Sequence, residues 1–236
     1  MKILITNDDG ILSPALPILV REARSLGEVT VIAPKVEQSG KSHAIDFTRP
    51  IEIKPMDIFE GARAFSMDST PADCVRFGVL GLSEKFDLII SGVNRGYNLG
   101  ADIVYSGTVG AIFEGARLGI PGIAISSEPD YYTTATEEIG RLFTYVKERR
   151  LFEQCSYYNV NIPPKSRGYK ITKQGGIYFT DSFERREGDI FVQVGSPADH
   201  DLSDESEDIT AMRAGFVSIT PLLATRTDMN AFEKLK

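Results

Sequence analysis

Short apolar, β-branched runs alternate through the first half of the chain with segments whose apolar residues recur at helical spacing. That is the pattern of an α/β fold with a mostly parallel sheet. Residues 2–6 predict a buried strand. Ser13-Pro14 then offers an N-cap with proline at the first helical position, and Leu16, Leu19, Val20, Ala23 and Leu26 form an apolar stripe that stops at Gly27. Pro17 falls within the first turn, where its missing N–H costs little. A second strand over 29–33 is closed by Pro34. A longer connection follows, with 45–53 read as a strand or hairpin and a short strand over 64–67. Thr70-Pro71 starts a helix running through Val79, and 86–91 is the next buried strand. A glycine-rich loop leads into a helix over 106–118, then a strand over 122–126. An amphipathic helix near 136–149 turns Ile139, Leu142, Phe143 and Val146 inward.

Past residue 150 the texture changes: strand-like pieces at 158–162, 169–172, 190–194 and 216–220 are separated by turn-rich or acidic stretches, with little helix. The stretch 199–208 carries six acidic residues in ten and reads as a solvated loop. A two-stranded arm is not stable alone, so this half is expected to pack on the core or exchange with a partner subunit. No internal repeat and no low-complexity linker interrupts the chain.

At 236 residues the chain exceeds the usual single domain and falls short of two full ones. Its net charge of −7 argues against holding nucleic acid or anionic membrane by bulk charge, because such binding rests on cations neutralising phosphates. The two cysteines (Cys74 and Cys155) and two histidines (His43 and His200) exclude a disulfide scaffold and a zinc site of four Cys or His ligands. Any metal must therefore be held by oxygen. The apolar start is broken by Asn7-Asp8-Asp9 before a signal-peptide core forms, and no transmembrane-length apolar run exists. The expectation is a cytoplasmic protein without a membrane partner.

In an open parallel sheet, ligands collect at the carboxyl ends of the strands, and three such ends concentrate polar residues and glycine. The first is Thr6-Asn7-Asp8-Asp9-Gly10. Two like charges there repel by about 4 kcal/mol at about 4 Å and an effective dielectric near 20. A hard divalent cation turns this repulsion into attraction, whereas the alternative is a solvated Asx-capped turn. The second, Gln38-Ser39-Gly40-Lys41-Ser42-His43, offers a hydroxyl and a backbone nest to an anion, without P-loop spacing. An ordinary turn explains it equally, and His43 reads as a hydrogen-bonded loop residue. The third is SGVNRGYNLG, in which Asn94 lies just past the strand end where its amide oxygen can join the Asp8/Asp9 metal. Ser106 and Thr108 then open a helix, as an anion site or as ordinary N-caps. Hard-metal ligands, an amide oxygen and an anion cradle together fit metal-assisted attack on a phosphate ester.

The motifs ILITNDDG, VIAPKVEQSGKSH, STPADCV, SGVNRGYNLG, YSGTVGAIFEGA, NVNIP, GFVSITPL and TRTDMNAF follow in order along nearly the whole chain. With them the chain resembles the SurE survival-protein family of metal-dependent 5′-nucleotidases. The resemblance implies a Rossmann-like, three-layer α/β/α fold with a C-terminal β-rich arm exchanged between subunits, giving homodimers or homotetramers. It implies one domain over 1–236, with a core to about residue 150 and the extension and arm beyond it. Asp8, Asp9, Ser39 and Asn94 would then ligate one divalent metal ion per subunit, Mn²⁺ or Mg²⁺ with Co²⁺ as a third option. Ser106, Gly107 and Thr108 would bind phosphate, with Asn98 as a further candidate. Departures are Ser69 in place of the usual glycine, Pro17 in the first helix and the acidic 199–208 stretch, which bears on substrate range.

The implied reaction is hydrolysis of nucleoside 5′-monophosphates by a metal-activated water, with 3′-monophosphates and short polyphosphate as further substrates. Whether Asp8 acts as a base or only as a ligand stays open. A phospho-accepting switch is the first alternative, but Asn94 stands where its acceptor aspartate belongs. A non-catalytic nucleotide-binding protein is the second. Cys74 reads as a core residue rather than a nucleophile, and Tyr131-Tyr132 as surface packing rather than a pocket roof. Arg185-Arg186 either reaches a partner's site or balances the acidic loop.

Overall fold

Ile3, Leu4 and Ile5 are entirely buried, so the first strand, β1 (Lys2–Thr6), is covered on both faces as a central parallel strand must be. In the computed structural model, which describes residues 1–129 and 136–236, the chain continues through α1 (Leu16–Arg24), β2 (Glu28–Pro34), β3 (Ile53–Met56) and β4 (Arg63–Met67). It proceeds through α2 (Pro71–Arg76), β5 (Leu88–Arg95), α3 (Gly107–Arg117), β6 (Gly122–Ser127), α4 (Ile139–Glu148), β7 (Tyr157–Ile162) and β8 (Tyr169–Ile171). The last elements are β9 (Phe179–Arg185), β10 (Phe191–Pro197), α5 (Asp208–Arg213), β11 (Val217–Pro221) and α6 (Met229–Leu235). Nine strands form one sheet in the order β3-β4-β2-β1-β5-β6-β7-β11-β8, parallel except at β3·β4 and β7·β11. The remaining two, β9 and β10, pair antiparallel as a separate hairpin.

Side-chain alternation sorts the strands into two cores. Ile3, Ile5, Ile90, Ile123 and Ile125 pack with Leu16, Leu19 and Val20 of α1 and Leu142 and Phe143 of α4. Leu4, Ile32, Ile89 and Ala124 face the other way, onto Cys74 and Val75 of α2 and Val109 and Ile112 of α3. This is the three-layer α/β/α arrangement expected from the sequence. Cys74 is fully buried, and burial pushes its thiol far above the usual range, so it is a core residue. Among the described residues, no helix is long and apolar enough to cross a membrane. Neighbours β2 and β5 lie on opposite sides of β1, and the crevice where strand order reverses is where such sheets bind ligands.

Several elements differ from the sequence reading. The first helix starts at Leu16 rather than at Ser13-Pro14, because Ser13 and Leu16 first close successive turns onto Gly10 and Ser13 carbonyls. The segment 45–53 forms no hairpin and is strand only from Ile53. Asp73 and Asp46 carboxylates take the Asp46 and Thr48 N–H groups that a ladder would need. Strand β5 runs on to Arg95 through an irregular pairing with β6 between Ser91 and Asn94, so Asn94 is in the strand rather than past it. The acidic stretch ends in α5, whose Asp208 is 1% exposed. Burial raises its pKa, against N–H groups of Gly100, Gly175 and Ile209 that favour the carboxylate. Strand β9 is absent from the sequence reading altogether. Tyr131-Tyr132 lies outside the described residues.

Candidate functional site

The loop leaving β1 is tied down before its carboxylates are placed. Asn7 exchanges two hydrogen bonds with Gly10, at 2.9 and 3.1 Å. The Asp8 carbonyl accepts from Gln38 N–H at 2.7 Å, and Pro34 O accepts from Ile11 N–H at 2.7 Å, so the ends of β1 and β2 are laced together. Asp8 is 3% exposed and its Oδ1 accepts from the Thr108 hydroxyl at 2.6 Å, across to the first turn of α3. Asp9 reaches the end of β5, where its Oδ2 accepts from Arg95 N–H at 3.1 Å. The two aspartates thus bridge the crevice between β1, β5 and α3.

Electrostatics make the pair unstable as two bare carboxylates. Burial raises the pKa of Asp8, only partly opposed by the hydroxyl and main chain of Thr108. Burial and then the charge of Asp8 push Asp9 up to about 7. Glu37, a third carboxylate that the sequence reading passed over, raises both by its charge. A hard cation would offset the Asp8–Asp9 pair, and the donors at hand are oxygens. Ser39, on the same β2 exit, donates its hydroxyl to Glu37 Oε1 at 2.6 Å. Asn94 donates its Nδ2 to Gly96 O at 2.7 Å, leaving its Oδ1 as the available donor atom. The donor set therefore fits a divalent cation.

At the helix start the cap reading holds for Ser106. Ser106 Oγ caps α3 by accepting from Val109 N–H at 3.1 Å, while Thr108 turns to Asp8. Gly107 packs closely on Asp8: a Cβ there would lie 3.1 Å from Asp8 Oδ2 and crowd that carboxylate. Asn98 is less free than the sequence suggests, since its Nδ2 donates to Ser126 Oγ at 2.7 Å.

The Ser39 loop lies along one face of α3. A Cβ on Gly110 would meet Ser42 O at 2.4 Å, so glycine lets the backbones touch. Four residues on, Glu114 is 2% exposed and accepts from His43 Nε2, Arg76 Nη1 and Arg117 Nε at 2.8, 3.0 and 2.9 Å. Burial alone raises its pKa, but those three donors outweigh burial and the net shift is downward. His43 is thus the bonded loop residue that its setting suggested. Arg185 and Arg186 pair within their own hairpin, with Asp189 and Glu184, while the acidic loop pairs with Lys170 and Lys173. Arg185-Arg186 therefore does not balance that loop within the chain. A cavity lined by Leu26, Leu88, Pro121, Ile123, Phe143 and Phe152 opens at the amino ends of the strands and contains none of the site residues.

The chain matches the family model described as Survival protein SurE over residues 3–181. It is 37% identical to the 5′-nucleotidase SurE of Kosmotoga olearia, covering 100% of this chain and 97% of that protein. It is likewise 37% identical to the 5′-nucleotidase SurE of Legionella pneumophila strain Philadelphia 1, covering 100% of this chain and 96% of that protein. Among solved structures, the SurE protein of Aquifex aeolicus superposes with a TM-score of 0.81 at 34% identity, covering 100% of this chain and 98% of that one.

Proposed function

Because the chain belongs to the SurE survival-protein family, we propose that it is a metal-dependent phosphomonoesterase that hydrolyses nucleoside 5′-monophosphates to nucleoside and phosphate. The observation that carries this reading is the Asp8–Asp9 pair between β1, β5 and the start of α3, with Asp8 buried, Asp9 half-buried and Thr108 donating to Asp8 at 2.6 Å. Asp8, Asp9, Ser39 and Asn94 would hold one divalent cation, Mn²⁺, Mg²⁺ or Co²⁺. Bound there, it neutralises phosphate charge and lowers the pKa of water. The Thr108 hydroxyl fixes Asp8 through Oδ1, and Oδ2 is the oxygen that would serve a cation or the attacking water. Ser106, Gly107 and Thr108 hold the phosphate at the N-terminus of α3, where the helix dipole favours an anion. Asn98 would be a further phosphate contact, through the part of its amide that Ser126 does not use. The reading extends to 3′-monophosphates and short polyphosphate as further substrates, because the reacting group is the same.

We further propose a cytoplasmic homodimer or homotetramer. Support comes from a net charge of −7, two free cysteines, and a β9–β10 hairpin whose Phe183 and Phe191 are 70% and 54% exposed. The proposal is tested by phosphate release from AMP after dialysis against EDTA, with Mn²⁺ or Mg²⁺ then restored. Release is expected only after restoration; full activity in EDTA would overturn the metal-dependent mechanism.

A further inference from the structure

Asn159 and Asn161 are polar residues in the middle of a buried strand. On β7 they are 1% and 0% exposed, alternating with Tyr158, Val160 and Ile162, which enter the apolar core on the opposite face. Their partners across the sheet are Ala124 and Ser126 on β6, and Thr220 and Ser218 on β11. Burying an amide among strands costs free energy unless it is bonded, and both amides spend their bonds on one distant residue. Asn161 Nδ2 and Asn159 Nδ2 each donate to the Asn98 carbonyl at 2.8 Å, and Asn161 Oδ1 accepts Asn98 N–H at 2.9 Å. The main chain of Asn98 is thereby held on both sides, and Ser126 takes its side chain. Asn159 Oδ1 has no hydrogen-bond partner among the described residues, a poor arrangement for stability alone.

We propose that Asn159 and Asn161 are positioning residues for the reaction, a role that rests on the function proposed above. They clamp the 94–100 loop through Asn98 and so fix where Asn94 and Asn98 stand relative to Asp8 and Asp9. Neither touches the substrate. Together they hold the middle of a glycine-containing loop whose ends are tied elsewhere, by Arg95 N–H to Asp9, Gly96 N–H to Ser127 O and Gly100 N–H to Asp208.

The test compares Asn159→Leu and Asn161→Leu with Thr172→Val. Thr172 belongs to the same buried polar stripe, bonded to Ser218 and Thr220 at 2.9 and 2.8 Å, but has no bond to the loop. Two quantities are read: amide hydrogen exchange over residues 94–100 without metal, and kcat and KM for AMP with Mn²⁺. Both leucine variants are expected to exchange faster over the loop and to lose about 10–100-fold in kcat/KM, mostly in kcat. Thr172→Val is expected to lower Tm and leave both readouts at wild-type values. Unchanged loop exchange, or an activity loss matched by Thr172→Val, overturns the proposal. Where Asn161→Leu does not fold, Asn161→Asp keeps the acceptor and removes the donor, with about tenfold loss expected. If the wild type hydrolyses no phosphomonoester, the proposed function falls, while faster loop exchange still supports the clamp and unchanged exchange still overturns it.

Discussion

Burial and the charge of Asp8 keep Asp9 protonated up to about pH 7 in the metal-free protein. A folded-state pKa above the ordinary 3.8 means that the fold is favoured while the carboxyl is neutral. That contribution is complete below about pH 4 and is lost as pH rises through about 7. In EDTA, wild-type stability is therefore expected to fall between pH 4 and 7 relative to Asp9→Asn, by about 1–3 kcal/mol after allowance for partial exposure. Parallel stability curves for the two proteins would refute this. Asp8 and Asp9 are legible in the sequence because adjacent like charges at a strand end call for a cation. Asn159 and Asn161 are not legible in the same way, since their partner Asn98 lies 61 and 63 residues away and only the folded sheet brings it near. Glu37 escaped notice because nothing in a loop sequence says which way a carboxylate turns.

Helix α3 carries more of the site than its first turn. Ser106 caps it, Gly110 admits the Ser42 backbone and Glu114 gathers His43, Arg76 and Arg117, so the Ser39 loop and α2 are seated on one helical face. Removing a buried charge that serves several partners leaves those partners unmatched. Glu114→Ala is accordingly expected to lose about 2–4 kcal/mol in denaturant unfolding, and His43→Ala about 1 kcal/mol. A Glu114→Ala loss no larger than that of His43→Ala would show that the arginines contribute nothing. The parallel strands and the helices between them follow from hydrophobic periodicity, which survives in both layers of the core. Elements outside that periodicity do not. Strand β9 is exposed at every position, and α5 is six residues long and begins at the last residue of the acidic run, too short to display a helical period.

Across the whole molecule, the second half of the chain does two different things. Strands β7, β11 and β8 complete the main sheet, whereas the hairpin β9–β10 and helix α6 are exposed along their lengths. Two-stranded hairpins are marginal in water, and Phe183, Ile190 and Phe191 are too apolar to be left there without cost. Light scattering is expected to give a dimer or tetramer, and Phe183→Glu with Phe191→Glu to shift it toward monomer; a monomeric wild type would remove that reading. The mostly parallel α/β sheet was legible from periodicity and its three layers from the family resemblance, but the hairpin's exposure was not, because sequence marks apolar residues without saying what covers them. At the carboxyl end of β1, Asp8 bonds α3 and Asp9 bonds the end of β5, and the proposed activity depends on that junction. Its most direct test is Mn²⁺-dependent phosphate release from AMP by Asp8→Asn, with folding checked by Tm. The account predicts a folded protein whose kcat/KM is lower by about 10³-fold or more; a folded Asp8→Asn with wild-type activity would contradict it.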